Sequence, residues 1–206
     1  MKVILLLLSL LFSVGGNTQI EKEMPVSEIS GNEKVLIVYL TRTKNTQAVA
    51  EIIQDKLGGK LVALEKQDPY PQNYQEIVAQ VDSENEQDYL PVLKTKIEDL
   101  GDYDIVFVGF PTWDIQMPPP MKSFLTENDL SGKTLIPFNT NAGYGVGRGF
   151  DQLREICPNS KILEGFSVEG GYEKKGVLLA IKGERKERVE DQVVTWLTKI
   201  GLLEKS

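Results

Sequence analysis

Residues 34–50 read KVLIVYLTRTKNTQAVA, and this stretch decides the fold. Val35, Leu36, Ile37, Val38, Tyr39 and Leu40 form an unbroken apolar run rich in β-branched and aromatic side chains, as expected of a central parallel strand covered on both faces. Thr41, Arg42, Thr43, Lys44, Asn45 and Thr46 interrupt it, and then Ala48, Val49, Ile52, Ile53 and Leu57 recur at the three-and-four spacing of a helix face. Asn45 or Thr46 is the expected N-cap. A strand that ends in a hydroxyl-rich loop at a helix N-terminus offers free backbone N–H groups, the positive end of the helix dipole and several side-chain donors. Those are the requirements of a phosphate site. A capped strand-to-helix turn that binds nothing has the same local signature, so the rest of the chain must decide.

Beyond the first helix, which Gly58 and Gly59 stop, residues 60–65 (KLVALE) read as a second strand. Residues 68–91 form a long polar connection that opens with DPYPQNY, continues with weak helical spacing and closes at Pro91. A connection of that length predicts an excursion near the mouth of a site. Val92, Leu93, Ile97 and Leu100 are spaced for another helix face. Residues 104–109 (DIVFVG) give the third strand, followed by Pro111, Thr112, Trp113 and Asp114; Pro118, Pro119 and Pro120 then start a helix faced by Met121, Phe124 and Leu125. This loop is stiff, and Trp113 at its crest is suited either to stacking on a flat ligand or to packing the loop. Residues 133–138 (KTLIPF) are the fourth strand, and a Gly-rich turn over 139–147 leads into a helix over 148–156. The fifth strand falls within 160–168. Residues 170–184 (GGYEKKGVLLAIKGE) read as a short extra strand or hairpin of no evident role. The last helix carries Val189, Val193, Trp196, Leu197 and Ile200 on one face, which places Trp196 in the core.

The first loop lacks G-x-G-x-x-G and G-x-x-x-x-G-K-[ST]. It resembles instead the phosphate loop of the flavodoxin family, Ser/Thr-x-Thr-Gly-Asn-Thr, through Thr41, Thr43, Asn45 and Thr46. Lys44 stands at the glycine of that pattern, which implies either a different turn or an added positive charge at the phosphate. The Trp113 loop is similar to the one that frames the isoalloxazine in a flavodoxin-like subfamily, where many members carry a second Trp at the position of Asp114. An acidic group there is expected to disfavour the anionic reduced flavin and lower the potential. The loop after the fourth strand is similar to the family's Thr-x-Gly-Gly-Ser-Gly turn at Asn141, Gly143 and Gly145, and departs from it at Ala142 and Tyr144. The resemblance implies FMN as cofactor. The phosphate would be held by Thr41, Arg42, Thr43, Lys44, Asn45 and Thr46, and the ring by Pro111, Thr112, Trp113, Asp114, Asn141, Ala142, Gly143, Tyr144 and Gly145.

Strands alternating with helices call for a doubly wound α/β protein: a five-stranded parallel sheet, in flavodoxin order 2-1-3-4-5, with helices on both faces. In that order the loops after strands 1, 3 and 4 leave the same carboxyl edge beside the switch point. That convergence is a stronger indication than any one loop.

Composition sets the outer bounds. The 206 residues, 41% hydrophobic, suffice for one domain with a full core. A formal charge of −7 argues against nucleic acid, whose phosphates need clustered Lys and Arg, and suits a basic partner. The absence of histidine excludes histidine triads and histidine metal sites. Cys157, the single cysteine, excludes an internal disulfide and reads as a small buried residue. Lys2, the apolar run over 3–14 and the small residues Gly15 and Gly16 read as a cleaved export signal over 1–16, ahead of an uncleaved anchor or a core strand, and no stable membrane insertion is expected after cleavage. Residues 17–33 read as a linker, and 34–206 as the flavodoxin-like domain. The leading expectation is a periplasmic or secreted electron carrier between protein partners. The alternatives are an FMN-dependent reductase of quinones or similar small flat acceptors, and a non-enzymatic α/β scaffold with a degenerate phosphate loop.

Overall fold

The computed structural model of the chain describes residues 33–204, so the expected signal peptide and nearly all of the linker lie outside the described residues. The apolar run after Lys34 becomes β1 (Val35–Tyr39), paired in parallel with β2 (Lys60–Ala63) on one side and β3 (Ile105–Pro111) on the other. β3 pairs with β4 (Thr134–Asn141), which carries two short neighbours on its far edge, β5 (Lys161–Ile162) and β6 (Phe166–Glu169). The order is β2-β1-β3-β4-β5, all parallel, with β6 beside β4. The expected topology is therefore present.

Alternation along β1 shows how both faces are filled. Leu36 and Val38 join the core beneath α3 (Pro119–Glu127) and α4 (Gly149–Ile156), with Val106, Val108 and Leu135. Ile37 and Tyr39 face α1 (Asn45–Leu57) and α5 (Glu184–Lys199), with Phe107, Ile136 and Trp196. Successive strand residues point to opposite faces, so an unbroken apolar run serves two cores at once. Trp196 is buried as expected and meets the Phe107 ring edge-on at 6.0 Å.

The expected single fifth strand is instead broken between β5 and β6, and the cause is Pro137. Leu135 and Asn141 accept bonds from Leu163 and Gly170, so odd-numbered residues of β4 address this neighbour. Pro137 is the odd residue with no N–H to offer it. Across the gap the register slips by one residue, from Leu135↔Ile162 to Phe138↔Phe166, as in a β-bulge. The Glu164 carbonyl there accepts from Trp196 Nε1 at 2.9 Å.

Residues 92–100 do not form the expected helix. Gln67 N–H donates to the Val92 carbonyl and Lys94 N–H to that of Glu65, while the Thr95 hydroxyl bridges Ala63 O and Glu65 N–H. The segment is thus extended along the chain leaving β2, where edge hydrogen bonds outweigh the helical spacing of four apolar residues. Before it, α2 (Tyr74–Glu86) is capped by Asn73, whose side chain accepts from the N–H groups of Gln75 and Glu76. α2 belongs to neither core cluster. Its apolar side looks onto the carboxyl edge of the sheet.

Candidate functional site

The loops after β1, β3 and β4 open into one cavity of about 440 Å³ at the carboxyl edge. The size lies within the range of about 300–1,000 Å³ usual for small-molecule sites. Arg42, Thr43, Asn45, Pro111, Thr112, Trp113, Asp114, Asn141, Ala142 and Tyr144, all expected at the site, line it. Thr41 lines an adjoining recess that shares Arg42, Thr43 and Trp113. Lys44, Thr46, Gly143 and Gly145 are not part of the cavity lining.

At the β1 loop, neither Asn45 nor Thr46 is the N-cap. Lys44 holds that position in the left-handed conformation, φ 65°, ψ 4°, without a side-chain cap. A glycine would take this backbone without strain, whereas a lysine costs about 1 kcal/mol. The Thr46 hydroxyl is buried against the Thr140 hydroxyl at 2.8 Å. The Asn45 amide group donates to Thr43 Oγ1 and the Leu178 carbonyl, and its oxygen accepts from Ala180 and Ile181 N–H. Asn45 therefore ties the loop to the chain after β6. The backbone N–H groups of Arg42 to Gln47 find no acceptor among the described residues. Those of Asn45, Thr46 and Gln47 belong to the first turn of α1, where anions are favoured.

The β3 loop folds into a tight turn, Trp113 and Gln116 exchanging backbone bonds of 3.2 and 3.0 Å. Asp114 and Ile115 at its centre both have positive φ, 48° and 55°. For a β-branched residue this is a genuine outlier, and strain of this kind gathers where surrounding structure imposes it. Gly147 makes room for the turn: a Cβ there would lie 1.9 Å from the Ile115 carbonyl, which also accepts from Arg148 N–H. Trp113 is half-buried and meets Tyr70 edge-on at 5.4 Å. Behind Tyr70, its hydroxyl bonds Glu84, which pairs with Lys66 at 3.1 Å, both side chains only 7% exposed. Burial, then the Glu84 carboxylate, raises the Tyr70 phenol. Asp114 accepts from Asn85 at 3.1 Å and Gln116 at 2.9 Å, which anchors the turn to α2.

β4 runs three residues beyond the expected strand end, so Asn139, Thr140 and Asn141 are strand, not turn. Pairing with β3 and β6 continues through them. Asn141 Oδ1 accepts from Gly143 and Gly145 N–H at 2.9 and 3.1 Å, so these two amides shape the turn from inside. The Thr112 hydroxyl bonds the Gly145 carbonyl at 2.7 Å and joins the β3 and β4 loops. Tyr144, 59% exposed, reaches the hydroxyl of Tyr172 at 2.6 Å.

Two further walls lie outside the three loops. Ile77, Val78, Val81 and Asp82 of α2 line the cavity, so the expected excursion near the mouth of the site is present, although its weak helical spacing does not single out these lining residues. Burial, followed by the nearby Asp114 charge, raises the Asp82 carboxyl above its ordinary value. The other wall is a strap over 170–181, closed by an antiparallel Tyr172–Val177 bridge, which brings Gly170, Gly171, Tyr172, Glu173 and Lys174 to the cavity. Its signal was the Gly-bounded stretch after the fifth strand. Among the described residues no acidic, cysteine or histidine cluster could hold a metal, and no helix is long and apolar enough to cross a membrane.

An open parallel sheet with its crevice at the switch point, anion-seeking amides on one side and aromatic side chains on the other, defines a mononucleotide-binding α/β protein. The chain belongs to the flavodoxin family, whose sequence profile matches residues 34–180. It is similar to the flavodoxin of Synechocystis sp., 24% identical over 187 residues that cover 81% of this chain and 95% of that one. A flavodoxin of Nostoc sp. is 27% identical over 149 residues, 70% of this chain and 73% of the relative. Among solved structures, a candidate flavoprotein from Bacteroides eggerthii aligns with a TM-score of 0.68 and 26% identity, covering 84% of this chain and 100% of that one. A flavoprotein from Lactobacillus acidophilus, solved in complex with FMN, shares the fold at a TM-score of 0.56 and 18% identity over 66% of this chain and 92% of its own. FMN is the cofactor of this family.

Proposed function

We propose that this chain binds FMN in the carboxyl-edge cavity and carries electrons between partners outside the cytoplasm. The observation that carries the reading is the convergence of the three loops on one 440 Å³ crevice with opposite chemistries around it. The donor set fits the group. Uncommitted amides from Arg42 to Gln47 and the dipole of α1 suit a phosphate dianion, with the exposed Lys44 ammonium close by in the chain. Trp113 and Tyr144 suit the faces and edge of a flat ring, while Ile77, Val78 and Val81 keep water from it. Bound FMN supplies the one- and two-electron chemistry, and the protein sets its potential and its access.

Asp82 and Asp114 place negative charge at the mouth of the cavity. That charge opposes a further negative charge on the ring and favours docking of a cationic partner. The apolar run over 3–14 behind Lys2 supports export. Titration of the purified protein with FMN and riboflavin, followed by quenching of flavin fluorescence, tests the reading. Tight FMN binding with much weaker riboflavin binding is expected; quenching by neither flavin would sink it.

A further inference from the structure

Arg42 lies inside the phosphate loop, yet four of the five N–H groups of its guanidinium are already engaged. Nε meets both carboxylate oxygens of Glu173 at 2.8 and 3.1 Å, and Nη2 meets Oε1 at 2.8 Å. The outer donors reach the carbonyls of Pro71 at 3.1 Å and Gln72 at 2.8 Å. Both charged side chains are about four-fifths buried, 18% and 20% exposed. A fork with a single Nη1 N–H left uncommitted cannot grip a phosphate bidentately without releasing one of these partners. Glu173 comes from the strap, 131 residues further along the chain, and its carboxylate cancels a cation that the loop itself supplies.

We propose that Glu173 is a specificity-determining residue of the cofactor site: by holding Arg42 it withdraws that charge from the phosphate, and so sets how strongly the site prefers FMN over riboflavin. The inference rests on the FMN reading above. With Arg42 neutralised, the preference depends on the loop amides, the α1 dipole and Lys44. Removing the carboxylate returns a full positive charge to the rim of the same cavity, which acts on the phosphorylated flavin and not on the neutral one. The strap has independent anchors in the Tyr144–Tyr172 bond and in the bonds from Asn45 to Leu178, Ala180 and Ile181. Replacing Glu173 therefore changes charge at the site without detaching the strap.

The test is the ratio of riboflavin to FMN dissociation constants in the purified protein at low ionic strength. In E173Q this ratio rises by about tenfold, a gain that shrinks as salt is added. E173D keeps the charge and stays near the wild-type ratio. R42Q leaves Glu173 uncompensated and lowers the ratio by a similar factor, so one variant of each sign is available should the other prove unstable. If Glu173 only shapes the strap, both dissociation constants move together and the ratio stays put, which overturns the inference. A wild-type protein that binds neither flavin defeats the FMN reading instead. A wild type that prefers FMN, paired with an unchanged ratio in E173Q, defeats only this one.

Discussion

The interior of the sheet and the rim of its carboxyl edge are built by different means. Inside, β1, β3 and β4 present apolar side chains to two cores, and Leu36, Ile37, Val38, Phe107 and Leu135 are fully buried. Stability there comes from area removed from water and from close packing, neither of which depends on a particular partner. At the rim, polar ties join segments distant in the chain: Arg42 to Glu173, Thr112 to Gly145, Asp114 to Asn85, Tyr144 to Tyr172. Each needs its specific partner. A core of this kind tolerates exchange of one apolar residue for another, while the rim fixes the shape of a site and fails pair by pair.

The largest effect should come from leaving one rim charge alone in a buried place. K66M leaves Glu84 93% buried without its ammonium, and is expected to destabilise the fold by about 3–5 kcal/mol in urea unfolding. The double variant K66M/E84L should recover much of that loss. By contrast, replacing Lys94, whose pair with Glu65 is exposed, should leave the unfolding midpoint unchanged. If Lys94 mattered as much as Lys66, burial would not be what separates the two pairs.

In the core, F107A opens a cavity between β3 and Trp196 and should cost about 3–5 kcal/mol without altering the ratio of FMN to riboflavin affinity. A changed ratio would mean that core packing reaches the rim, and the contrast between the two regions would fail. K44G sharpens the contrast from the other side. It removes left-handed strain at φ 65° and should stabilise the fold by up to about 1 kcal/mol. It also removes a cation beside the loop amides, so FMN affinity should fall severalfold while riboflavin affinity holds. Stronger FMN binding in K44G would show that the lysine is a departure from the flavin role.

What was legible in the sequence follows the same division. The strands and the two-faced core were readable because a run such as VLIVY carries its own evidence in adjacent residues. The order of the sheet and the three converging loops followed from alternation and resemblance. The broken fifth strand was not readable from its own residues, since its cause, Pro137, stands on the neighbouring strand. The fate of Arg42 was hidden for the same reason: its partner Glu173 lies in a segment with no periodicity to announce it. Asn45 matched a phosphate-loop pattern, yet it is spent on bonds to Leu178, Ala180 and Ile181, which no local spacing predicts. Helical spacing in 92–100 misled because the edge of β2 offered the backbone better partners.

At neutral pH the smallest effect belongs to Cys157, at the end of α4 and within the core rather than at the rim. Burial alone pushes its thiol up to about 11, and no cation among the described residues offsets it. A free thiol ionises at about 8.5, so the folded chain holds its proton over a range where the unfolded chain has released it. The resulting stabilisation is complete below the unfolded value and is lost as pH rises through about 11. Urea midpoints should therefore fall between pH 8 and pH 10.5 in the wild type by more than in C157A. At pH 8 the folded thiol should resist iodoacetamide until urea opens the core. Rapid alkylation of the native protein would place Cys157 with the responsive rim and not with the inert interior, and the division between the two regions would then have to be redrawn at α4.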